Sequence, residues 1–159
     1  MPDLPEAGTV TAAGLAVRFS AVVSVLLIGC SDSAGPGKVA GPYVLTAVDS
    51  LGVPRVVSAT NSCDQLVLRG SLYLGDNTLF DLSVTQAQDC IRAGGSVDTF
   101  TTTTSGGFTV DGTRLVLHPS GTGIQLTGTT SSATVDLQLP QLPLLGAEAR
   151  SATFIKFPL

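Results

Sequence analysis

Residues 65–86 read QLVLRGSLYLGDNTLFDLSVTQ, and the fold turns on how this stretch pairs with itself. Apolar and polar residues alternate on both sides of GDN, the period of a strand with one buried face. Before the break, Leu66, Leu68, Leu72 and Leu74 share a face; after it, Phe80, Leu82 and Val84 continue that face. Arg69, Tyr73, Asp81 and Thr85 point the other way. Residues opposite each other on an antiparallel pair lie on the same face. Setting Leu72 opposite Phe80 therefore demands an odd loop, and Gly75-Asp76-Asn77 supplies three residues. Such a loop carries a residue at positive φ, which suits Gly or Asn. The expectation is a β-hairpin.

The same grammar extends outward in both directions. FTVDGTRLVL (108–117) sets Phe108 and Val110 before an Asp111-Gly112 turn and Leu115 and Leu117 after it. GIQLTGTTSSATVDLQL (123–139) gives Ile124 and Leu126, a polar turn near Ser131, then Val135, Leu137 and Leu139. TTTTSGG (101–107) reads as a strand whose paired glycines permit a bulge or sharp bend. Upstream, residues 43–48 and 55–59 form a hairpin around DSLGVP, and residues 153–157 make a closing strand. No sustained helical period appears. The pattern predicts an all-β chain, an antiparallel up-and-down meander of about 8–10 strands closing into a small barrel.

The 159-residue chain has a net charge of −4, 13% charged residues, few aromatic residues and no Trp. That length fits one domain plus a targeting segment. Its Arg and Lys residues stand singly with no basic stripe, and the acidic balance offers no attraction for nucleic acid. No nucleic-acid partner is expected.

Before the strands lies FSAVVSVLLIGCSDSAGPG (19–37). Its apolar run, residues 19–28, is too short for a membrane-spanning helix, which needs about 20 apolar residues. It suits the core of a secretory signal, and Arg18 stands just before it as a positive flank. Residues 1–16 hold Asp3 and Glu6 and no basic residue, so a signal of ordinary form would start near Val10 or Val17. The junction Leu27-Ile28-Gly29-Cys30 resembles the lipobox of bacterial lipoproteins. The resemblance implies cleavage before Cys30 and acylation of that cysteine, whose thiol is the nucleophile that takes up diacylglycerol. Several chains on one residue hold a membrane far better than one, whose grip is about 0.8 kcal/mol per buried CH₂. Expected divisions are a signal peptide over 1–29, a flexible tether over 30–41 and a β-barrel domain over 42–159. Ser31 after the cysteine resembles the pattern of outer-membrane sorting in a two-membrane envelope.

With Cys30 lipidated, Cys63 and Cys90 remain as a pair in an exported chain, where disulfides persist. They flank the 65–86 hairpin, yet their spacing is one residue out of step with a Leu72–Phe80 pairing. A disulfide between them is expected, and it needs a bulge or a departing loop. The alternatives are a metal site, thinly provided by two thiols and His118, and a reactive pair lacking any CxxC spacing.

In order, GPYVLTAVDSLGVP, GSLYLGDNTLFDLSV, GGFTVDGTRLVL, IQLTGTTSSATVDL and ATFIKF resemble small bacterial lipoproteins with a lipocalin-like up-and-down barrel. The resemblance covers residues 41–159 and implies a fold without a catalytic set. PQLPLLGAEAR (140–150) is longer and richer in proline than the usual final turn, and Tyr43 stands where lipocalins carry the Trp of a GxW motif.

Chemistry is sparse. His118 is the sole histidine, at a strand end, and Asp49, Asp76, Asp98 and Asp111 sit in or beside turns that an Asp side chain stabilises. SGTG (120–123) does not lead from a strand into a helix, so it is not a phosphate loop. The sequence predicts no enzyme, no cofactor and no metal site. It predicts a lipid-anchored envelope protein, with membrane lipid as partner through acylated Cys30. The barrel is expected to be a binding or structural module for an envelope protein, the alternative being carriage of a small apolar ligand.

Overall fold

The computed structural model describes residues 35–139 and 149–158. A short helical turn, α1 (Pro36–Val39), precedes ten strands: β1 (Gly41–Val48), β2 (Leu51–Gly52), β3 (Arg55–Ala59), β4 (Asp64–Leu74), β5 (Leu79–Asp89), β6 (Val97–Asp111), β7 (Arg114–Pro119), β8 (Leu126–Thr130), β9 (Thr134–Leu139) and β10 (Arg150–Lys156). From β4 to β10 each strand pairs antiparallel with the next, β10 pairs with β1, and β1 pairs with β4. The closure makes an eight-stranded up-and-down barrel, with β2 and β3 outside the ring. This is the all-β meander that the alternation predicts. The signal segment, the lipobox and residues 140–148 lie outside the described residues.

The central hairpin keeps its faces and changes its register. Leu72 lies opposite Leu82, and Leu74 opposite Phe80. The three loop residues are Asp76, Asn77 and Thr78, closed by Gly75 N donating to Leu79 O at 2.8 Å. Thr78, not Gly or Asn, takes the positive φ of 61°. Asn77 serves the turn differently, its Oδ1 accepting from Leu79 N at 3.2 Å. Leu66 and Leu68 are not on the face of Leu72 and Leu74 throughout. The register of β4 against β5 shifts by one between Val67 and Arg69, so Val67 turns inward at 1% exposure. One extra residue in a strand exchanges its two faces beyond that point.

Four other expectations need correction. Residues 55–59 do not pair with β1, which instead turns through Asp49 and Ser50 into the two-residue β2. β3 pairs with the far half of β4. Ile124 lies before β8 and is 56% exposed, so the inner face of that strand begins at Leu126. The glycines of TTTTSGG make no bulge, since β6 runs in unbroken register against β5. Gly106 allows a close approach instead: a Cβ there would sit 2.1 Å from His118 O on β7. The turn after Val110 centres on Gly112 and Thr113, with Gly112 at φ 59°, the position where a two-residue hairpin turn of the II′ kind requires glycine.

Bulges explain why β2 and β3 exist. β1 and β4 pair only through residues 41–44 and 71–74. Just beyond, β1 shifts register between Leu45 and Ala47, and β4 between Val67 and Arg69. Bulged strands bend, and the two walls part. β2 and β3 take up the edges thus freed.

Inward side chains from all eight ring strands meet in one apolar cluster, including Tyr43, Leu72, Phe80, Phe108, Leu117, Leu126, Val135 and Phe154. Each such side chain taken out of water contributes about 1.5–3 kcal/mol, so this cluster dominates the stability of the fold.

Candidate functional site

The barrel has two unlike ends. One carries the short turns at 75–78, 112–113 and 131–133 and is covered by α1. Val39 is fully buried there, and Tyr43 Oη donates to Val39 O at 2.5 Å. Burial raises the Tyr43 phenol above its ordinary pKa. Lys156 lies 5.8 Å from the centre of the Tyr43 ring, and its Nζ donates to Lys38 O at 3.3 Å. Lys38 and Val39 belong to the expected tether, yet they pack against the barrel. This end is closed.

The opposite end is splayed and polar. Arg150 opens β10 and spans the mouth: its Nη1 donates to Asp49 Oδ2 at 2.9 Å and its Nη2 to Val57 O at 2.9 Å. Val57 is the residue skipped where the β3 register shifts, so Arg150 satisfies a carbonyl that the β3–β4 ladder does not use. Asp49, at φ 50°, also accepts from Ser151 N at 3.2 Å. Three more long polar residues lie on the inner surface here. Arg55 stands opposite Val67, Val67 opposite Gln86, and Gln65 opposite Gln88. Gln86 is only 2% exposed. Arg55 Nε, Gln65 Oε1 and Gln86 Oε1 are buried without a hydrogen-bond partner.

At the rim of this end Cys63 and Cys90 form a disulfide, with Cα atoms 4.1 Å apart. The one-residue shift at Leu68 removes the mismatch that the sequence poses. Asp64 pairs with Asp89, and the next positions outward are the two cysteines. Arg92 pairs with Asp64 beside the bond. Bonded to each other, the two sulfurs are not available as thiolate ligands to a metal.

Other residues singled out from sequence are dispersed. His118 is exposed near the end of β7, opposite Gly107. Asp76, Asp98 and Asp111 are exposed. Among the described residues no three His, Cys, Asp or Glu side chains gather as a metal site, and no helix is long and apolar enough to cross a membrane. Leu27, Ile28, Gly29 and Cys30 lie outside the described residues. The group that sequence reading missed is Arg55, Gln65, Gln86 and Arg150. Gln86 was within reach, because it follows Phe80, Leu82 and Val84 in phase. Gln65 was not, because it turns inward only through the bulge.

Does the barrel hold a chamber? A small-molecule pocket occupies about 300–1,000 Å³. Space of that size would leave its lining accessible to water. Leu72, Leu74, Leu115, Leu117, Val135 and Phe154 are instead 0–1% exposed. The apolar interior is filled by its own side chains.

A second feature lies on the wall. β6 pairs with β5 over residues 97–107 but with β7 only over 106–111. Phe108 N donates to Thr78 O, and Ser105 O accepts from Ser120 N on the other side. Backbone groups alternate in direction along an antiparallel strand, so the amides of Thr99, Thr101 and Thr103 face away from β5. Among the described residues nothing pairs with this edge. Comparison with known protein families, curated proteins and solved structures finds no match for this chain.

Proposed function

We propose that this protein is a membrane-anchored envelope lipoprotein, of the lipocalin-like kind that its sequence resembles, whose barrel is an interaction module for another envelope protein. The filled interior carries this reading. A carrier of apolar ligands needs an accessible apolar chamber, and the inward side chains of this barrel pack against one another. The free edge of β6 supports the interaction role. Among the described residues it presents unpaired donors and acceptors over residues 97–103, with no proline, no lysine and a single charge at Asp98. Proteins usually blunt such edges with charge or proline. An extended segment of a partner adds to an edge of this kind through main-chain hydrogen bonds. Anchorage rests on the lipobox at Leu27, Ile28, Gly29 and Cys30, with membrane lipid as the partner of the acylated cysteine. In a two-membrane envelope the location is the outer membrane.

Two experiments test the two parts. Cys30→Ala should move the protein out of the membrane fraction or leave it as unprocessed precursor; identical fractionation of variant and wild type would remove the anchor. For the module, a photo-crosslinking side chain at Thr103 in intact cells should yield a discrete adduct that Thr101→Pro abolishes. Proline at 101 deletes an outward amide and leaves the β5 ladder intact. An adduct indifferent to Thr101→Pro would place the partner elsewhere, and no adduct from any exposed strand would end the interaction reading.

A further inference from the structure

The splayed end holds polar groups that the described residues do not use. Among the described residues the Arg55 side chain has no hydrogen bond or ion pair, and its Nε is buried. Of the carboxylates at this end, Asp49 is engaged by Arg150 and Asp64 by Arg92, and Asp89 accepts from Ile91 N. Beside Arg55 across Val67 lies Gln86, 98% buried by its 2% exposure, with Oε1 unpartnered. Gln65, two residues from Val67 on the same strand, also has a buried, unpartnered Oε1. Folded proteins satisfy nearly all buried polar atoms, and an uncompensated cation near the interior is costly. Three such atoms gathered on one inner surface indicate a site shaped for something other than the described residues.

We propose that Arg55, Gln65 and Gln86 form a binding site for a small carboxylate that carries hydroxyl or amide groups, seated in the polar mouth of the barrel. The planar fork of Arg55 pairs with a carboxylate through two parallel hydrogen bonds. One uncommitted guanidinium supplies one positive charge, which matches a monoanionic carboxylate better than a phosphate dianion. The glutamine amides each offer a donor and an acceptor to the rest of the molecule. The site is independent of the β6 edge and of the lipid anchor.

The test uses the disulfide-bonded barrel and nuclear magnetic resonance of the Arg55 Nε–H and of the Gln65 and Gln86 side-chain amides. Gluconate is the probe, with glucose and inorganic phosphate as comparisons. Gluconate should shift all three side chains saturably, with glucose at least about tenfold weaker. Arg55→Met should abolish these shifts on the glutamines without lowering the melting temperature, since it removes an unpaired charge. Arg55→Lys should bind less tightly than wild type, having lost the fork. Tighter binding of phosphate would overturn the carboxylate assignment. An absence of saturable shifts with gluconate and with acetate would reduce the cluster to a hydrated one. A lower melting temperature for Arg55→Met would make Arg55 a structural residue.

Discussion

The two ends of this barrel reach order by different means. At the closed end β1 and β4 are zipped together, Val39 and Tyr43 plug the opening, and apolar packing meets a single buried hydrogen bond. At the splayed end the same two strands have parted, and the structure relies on a disulfide, an arginine reaching across the mouth and two added strands. The difference lies in three register shifts, in β1, β3 and β4. A fully zipped barrel would be sealed at both ends. The bulges give up ladder pairing to open one end, and that is where the unpartnered polar side chains collect.

The contrast can be broken first at the packed core. Phe154 is fully buried on β10, and Phe154→Ala should cost about 3–5 kcal/mol in denaturant unfolding. A loss below 1 kcal/mol, on the order of a surface change, would mean that the interior is looser than its burial indicates. Next comes the crosslink. Cys63 and Cys90 are 27 residues apart, and replacing both by Ala should cost about 3–4 kcal/mol by the chain-entropy model. The variant should lose protection from hydrogen exchange at the splayed end and keep it around Tyr43. Equal loss at both ends would erase the distinction between them.

Tyr43→Phe tests the closed end more gently. It leaves Val39 O unpaired, at about 1–3 kcal/mol. The phenol adds a pH dependence whose sign follows from its raised pKa. Stability due to the neutral phenol is complete below its unfolded value of 10.0. It falls as pH rises through the higher folded value, because the unfolded chain ionises first. The advantage of wild type over Tyr43→Phe should therefore shrink in alkali and stay constant at neutral pH. The smallest effect is expected for Asp49→Asn, which removes the charge facing Arg150 while suiting the positive φ. That pair is partly exposed, and the cost should be about 1 kcal/mol or less, lower still in high salt.

The closed end was largely legible in the sequence. Alternation at Leu72, Leu74, Phe80, Leu82, Phe108, Leu115, Leu117, Val135 and Leu137 reports one buried face, and period two preserves that face even when the register moves by two, as it does at Leu72. The splayed end was legible only in part. The cysteine spacing reveals a one-residue discrepancy, but nothing in QLVLRG marks Leu68 as the extra residue. A bulge depends on the strain of neighbouring strands rather than on a residue type. The faces of Leu66, Val67 and Gln65 were lost with it. The partner of β3 was hidden for a related reason, since the chain reverses through Asp49 and Ser50 into a strand of only two residues. The polar cluster as a whole could not be read, because Gln65 and Arg55 join Gln86 on one surface only after the shifts in β3 and β4.

If the proposals above hold, the apolar interior is filled and binding belongs to the mouth and the wall. Titration of the purified barrel with N-phenyl-1-naphthylamine, an uncharged apolar fluorophore, tests this most directly. Wild type should give no saturable fluorescence gain, and Phe154→Ala a gain only to the extent that its cavity stays open. Stoichiometric, saturable binding by wild type, displaced by a fatty acid, would contradict this reading and make the barrel a carrier.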